Sequence, residues 1–114
     1  MSIDMEQLQR DILTAASGAA ATDIGNLAGF SRSQLRKIAK QTEWIRAGRL
    51  AGDLDDELFR FHLDDLARLI DSFVRVLAAL TIVMMERVWN AIVGVVWRTM
   101  ETAIGAPIPL PFRP

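Results

Sequence analysis

His62 is the only histidine of the 114-residue chain, and Asp65 follows it one helical turn later. A metal site or an acid–base pair needs more than this. It requires further ligands at helical spacing, such as Glu-x-x-His, or a nucleophile for the imidazole to activate. The sequence offers neither. No Gly-x-Ser-x-Gly elbow presents a serine, and Gly25, Gly29, Gly48 and Gly52 fit neither familiar phosphate-binding spacing. The absence of cysteine removes disulfides, thiolate chemistry and cysteine-based metal sites. Trp89-Asn-Ala-Ile-Val-Gly-Val-Val-Trp97 could line a cofactor pocket, but large aromatics at helical spacing normally fill packing contacts. The expectation is a non-enzymatic chain with no catalytic residue, no metal ligand and no cofactor.

Helices must position whatever the chain does instead. Ile3, Leu8, Ile12 and Ala15 or Ala16 fall near helical spacing, Asp4 and Gln7 can form a capping box, and Gly18 is a stop signal. Residues 19–30 read as a weak helix or a loop with a short helical turn. Ser31 and Gln34 reopen the pattern, and Leu35, Ile38, Thr42 and Ile45 carry it towards Gly48–Gly52. Asp53 or Asp55 is the expected N-cap of the next helix. From Leu54 to Ile104 there is no proline, and Gly94 is the only glycine. One continuous helix there would be roughly 75 Å long. The predicted architecture is all-α. It has an N-terminal helical region (1–52), one very long apolar helix (53–104) forming an antiparallel hairpin with the second helix, and an extended proline-rich tail (105–114).

At about 100° per residue, Asp64, Arg68, Asp71, Arg75, Glu86, Asn90, Trp97 and Glu101 fall on one narrow stripe of that helix. The eleven-residue repeat 64, 75, 86, 97 suits a nearly straight helix. Arg68, Arg75, Glu86 and Asn90 are taken as its polar stripe. The opposite seam, Phe59, Leu66, Ile70, Phe73, Leu77, Leu80, Met84, Val88 and Val95, is the expected assembly interface. A helix so apolar needs burial on several sides, either by further copies and other structural subunits or by a bilayer. Val76 to Trp97 has about the 20 residues needed to span, with Arg75 and Arg98 at its ends. Glu86 and Arg87 in its middle would each cost about 2.5–3.5 kcal/mol.

In the tail, Pro107, Pro109, Pro111 and Pro114 exclude helix, and Ile108, Leu110 and Phe112 form a candidate strap onto a neighbour. A basic run (Arg32, Arg36, Lys37, Lys40, Arg46, Arg49) precedes an acidic one (Asp53, Asp55, Asp56, Glu57, Asp64, Asp65), so a hairpin at Gly48–Gly52 is expected to lay the two side by side. Net charge is −1 and half the residues are hydrophobic, so the overall balance does not imply nucleic acid. The polar start, Met1 to Arg10, lacks the pattern of a signal peptide.

Residues 23–31, Asp-Ile-Gly-Asn-Leu-Ala-Gly-Phe-Ser, resemble the turn of AraC-type DNA-binding domains, which implies a recognition helix after Ser31. Arg36 stands where that family places an aromatic, and no second such motif is present. The segment from Phe61-His-Leu-Asp-Asp-Leu through Glu86-Arg-Val-Trp-Asn-Ala-Ile-Val-Gly-Val-Val-Trp97 resembles short helical proteins of phage and prophage structural gene clusters. That resemblance implies a virion or cytoplasmic assembly component. The leading expectation is therefore a structural protein that packs into a homo-oligomer or larger complex. The alternative is a single-pass, holin-like inner-membrane protein with a cytoplasmic N-terminus, and a DNA-binding regulator ranks third.

Overall fold

Four stretches of the sequence place an apolar stripe behind a side chain able to cap a helix. Each becomes a helix in the computed structural model, which describes residues 2–114. They are α1 (Met5–Ala20), α2 (Arg32–Leu50), α3 (Asp56–Arg75) and α4 (Ile82–Ile104), with one 3-10 turn at Ile24–Asn26. There is no strand among the described residues. Met1, which opens the first region in the sequence-based division, lies outside them.

The caps explain the starting points. Asp4 accepts from the Glu6 and Gln7 N–H groups at 3.1 Å each, and Ser31 accepts from Gln34 N–H at 3.1 Å. Asp55 rather than Asp53 caps α3, accepting from Leu58 N–H at 2.8 Å. Thr81 caps α4 through Met84 N–H at 3.1 Å. Each such oxygen satisfies an otherwise orphaned donor and contributes about 1 kcal/mol. α1 runs past Gly18 and stops at Ala20, because Ala21 turns left-handed at φ 55° and returns its N–H to the Gly18 carbonyl.

The single helix expected over 53–104 is two. α3 ends at Arg75, and six residues, Val76 to Thr81, turn the chain before α4 begins. The corner contains neither glycine nor proline. It is made by Ala79 at φ 66° and the Thr81 cap, and a bond from Ala78 N–H to the Ala28 carbonyl at 2.8 Å ties it to the loop before α2. A left-handed alanine costs roughly 1–2 kcal/mol. Turning back buries Val88, Ile92, Val96 and Met100 completely, and each contributes about 1.5–3 kcal/mol. Burial wins. The molecule measures 42 × 26 × 21 Å, too short for a 75-Å rod, and its radius of gyration of 13.6 Å is close to the roughly 13 Å of a compact chain this size. Val76 to Trp97 is thus not one helix. Among the described residues, no helix is long and apolar enough to cross a membrane.

The core takes one stripe from each helix: Leu8 and Ile12 from α1, Leu35 and Ile38 from α2, Leu66 and Ile70 from α3, and Ile92 and Val96 from α4. α1 packs most extensively against α4. α2 and α3 form the expected hairpin, but the charges meet only in part: Lys37 and Lys40 share a cleft with Asp65 without pairing to it. The partners Arg49–Asp56 and Trp44–His62 show the antiparallel order. In such a pairing the start of α2 lies beside the end of α3, so the Arg32–Lys40 half of the basic run sits away from Asp53–Glu57. Only Arg49 bridges to the acidic run across the hairpin, to Asp56 at 2.6 Å. Among the described residues Arg32, Arg36, Lys37 and Lys40 enter no ion pair.

Candidate association surface

The seam assigned to assembly lies inside the chain's own core. Leu66, Ile70, Phe73, Leu77 and Val88 are buried, Phe59, Leu80 and Val95 are half-buried against them, and Met84 is half-buried at the start of α4. The break at 76–81 is the reason: a seam that would run along one rod becomes two faces folded inward. The polar stripe divides with it. Arg68 and Arg75 stand exposed on α3, paired with Asp65 and Asp71, whereas Glu86 and Asn90 stand exposed on α4. Trp97 leaves the stripe and is buried, its indole N–H donating to the Pro109 carbonyl at 3.2 Å. Trp89 is also buried, and its Nε1 has no hydrogen-bond partner among the described residues.

The tail straps onto its own domain. Residues 107–114 carry neither helix nor strand. Ile108 is buried, with its N–H on the Glu101 carboxylate at 3.0 Å. Leu110 and Phe112 point outward, Phe112 with 96% of its surface exposed. The three apolar residues therefore do not share an edge, because proline-rich backbone turns with a period of about three residues. Ile108 and half-buried Pro111 share the inner side instead. Arg113 closes the strap, its Nε donating to Asp71 at 2.8 Å, and Arg75 grips the other Asp71 oxygen. Burial pushes the Asp71 carboxyl upward, but the bonds from Arg113 and Arg75 outweigh it and hold the group below the usual aspartate range. Glu43 is also held low. The Arg46 guanidinium is the main cause, with help from the Ile3 N–H at 3.0 Å, which ties the N-terminal segment to α2.

No family model, no curated protein and no solved structure matches this chain. The surface itself must indicate the function. Exposed apolar side chains occur at the start of α4 (Ile82, Val83) and in the tail (Leu110, Phe112), and a set of rings stands on the outer face of the α2–α3 hairpin. Trp44 from α2 and Phe61 from α3 are 54% and 58% exposed, and half-buried His62 joins them edge-on, its ring 4.8 Å from Trp44 and 5.3 Å from Phe61. Leu58 lies exposed one turn before Phe61. Lys37, Lys40, Ala47 and Asp65 complete a shallow cleft of about 730 Å³ around Trp44 and His62. The histidine is thus packed among aromatic rings. Among the described residues, no group of three or more acids and histidines is placed to hold a metal ion.

Trp44, Phe61 and Leu58 are absent from the residues that sequence reasoning singles out, yet Trp44 carries a readable signal. The buried stripe of α2 is Leu35, Ile38, Thr42 and Ile45. Trp44 falls off it, between Lys40 and Ala47 one turn to either side. A tryptophan on the polar side of a helix can be read from the sequence as exposed apolar surface.

Proposed function

We propose that this chain is a non-catalytic assembly protein that associates through the outer face of the α2–α3 hairpin. The supporting observation is the exposed Trp44–His62–Phe61 cluster on a domain whose core is already closed. Half-exposed Trp and Phe rings leave on the order of 100 Å² apiece for a partner to cover, worth about 2.5 kcal/mol each at 25 cal/mol per Å². Aromatics of this kind usually anchor interfaces. The virion setting is supported only by the resemblance of the Phe61–Trp97 segment to phage structural proteins.

Sedimentation without detergent tests the reading. A discrete multiple of the 12.7 kDa chain is expected, and Trp44→Ala with Phe61→Ala should lower that mass while circular dichroism stays unchanged. A 12.7 kDa species persisting up to roughly 100 μM, well above the micromolar Kd of a weak interface, would sink the self-assembly reading.

A further inference from the structure

The hairpin face is net positive at one end, where Asp65 and Glu43 are paired with Arg68 and Arg46, and net negative at the other, where Asp53, Asp55 and Glu57 outnumber Arg60. On the α2 side Lys40 and Lys37 precede Trp44 by one and two turns, about 6 and 10 Å along the axis, and both are exposed. On the α3 side Glu57 precedes Phe61 by one turn, about 6 Å, with Asp55 and Asp53 beyond it. Because the helices are antiparallel, these two groups lie on opposite sides of the aromatic centre. None of the five charges enters an ion pair within the chain among the described residues.

Consider a two-fold axis lying in this face, through the rings and perpendicular to the line joining the two charge groups. It exchanges them. The lysines of one copy meet the acids of the other, twice, with Trp44, Phe61 and Leu58 packed between. A simple translation cannot lay this face against itself, and it repeats as an open-ended contact. Two helices of about 28 Å laid side by side, roughly 20 Å across, offer a face of about 560 Å² in projection, the size of a small interface rather than the 800 Å² or so that each partner gives a standard one. From this self-complementarity we infer that the occupant of the hairpin face is a second copy of the same chain, docked about that two-fold axis. The inference rests on the association reading above and names its partner.

Charge reversal with rescue tests it. Lys37→Glu with Lys40→Glu makes one variant, and Asp53→Lys with Glu57→Lys makes the other. All four positions are exposed, and Asp55 and Asp56 are left intact because they cap α3 and pair with Arg49. Each variant alone should dimerise about tenfold or more weakly than the native chain, since like charges then face each other. An equimolar mixture should recover association to within about threefold, because the reversed groups again match. Recovery also shows that both variants are folded. A native dimer whose affinity neither variant changes would overturn this geometry and leave the assembly reading standing on another face. A native chain that stays monomeric would overturn both. Weakening in each variant without recovery in the mixture would overturn the two-fold arrangement.

Discussion

Asp71 shows how much one side chain can organise in so small a domain. It is buried, and its two oxygens hold Arg75 of its own helix and Arg113 of the tail. Because its folded pKa is depressed, the stabilisation it supplies is complete above the ordinary aspartate range, near pH 4, and is lost as pH falls through the lower folded value. The tail should therefore stay docked at neutral and mildly acidic pH and release only in stronger acid. The Trp97 indole N–H, bonded to the Pro109 carbonyl, is a resolved NMR reporter of docking. Its resonance should hold steady down to about pH 4 and shift below. Asp71→Asn should shift it at neutral pH and cost roughly 1–3 kcal/mol, the usual value of hydrogen bonds to a charged group. An indole signal indifferent to both changes would show that the ion pairs do not hold the strap. Gly29 is a second single-residue constraint. At φ 89° a Cβ there would stand 1.8 Å from the Val76 carbonyl oxygen, and that neighbour is backbone and cannot step aside. Gly29→Ala should cost about 3 kcal/mol or more in urea denaturation.

Among the elements, the α3–α4 corner is the informative case. Thr81→Ala removes the cap of α4 and should cost about 1 kcal/mol, against nearly nothing for Thr102→Ala, which lies exposed within the same helix. Ala79→Gly should be neutral or stabilising by about half a kcal/mol, the relief of the left-handed strain slightly exceeding the entropy glycine adds to the unfolded chain. A clear loss of stability on Ala79→Gly would mean the alanine methyl makes a contact worth more than its strain. These residues also explain what the sequence can and cannot disclose. Asp4, Ser31 and the Asp53–Asp55 pair, though not which of the two caps α3, are readable because capping is local chemistry, and so is the α2–α3 hairpin, bounded by Gly48 and Gly52. The corner is not. Val76-Leu-Ala-Ala-Leu-Thr81 has no helix breaker, and what bends it is tertiary: the space beside α1 that α4 fills, and the Ala28 carbonyl that receives Ala78. The missing corner reaches the surface as well. A seam read along one rod passes for an interface, and attention to it leaves aside the exposed ring of Trp44, off the core stripe of its own helix.

For the molecule as a whole, the tail belongs to the stability of the fold, and the hairpin face is the proposed site of association. Deleting residues 107–114 withdraws Ile108 from the core and Arg113 from Asp71. Burial of an isoleucine plus a charged hydrogen bond amounts to about 3 kcal/mol, so the melting temperature should fall on the order of 10 °C. The number of chains in the sedimenting species should not change. A truncated chain that melts like the parent would show that the docked tail adds nothing to the fold. The most extensive packing in the molecule, between α1 and α4, joins the first helix to the last and has a consequence in time. The α2–α3 hairpin can close over a five-residue connection as soon as both helices exist, at small entropic cost. α1 must wait. Its apolar stripe of Leu8, Ile12 and Ala16 has nothing to complete it until α4 is synthesised and clear of the ribosome. Until α4 is made, α1 is covered only in part, by α2 and the 3-10 turn, and final consolidation is set by a contact of long sequence separation, the kind that slows folding.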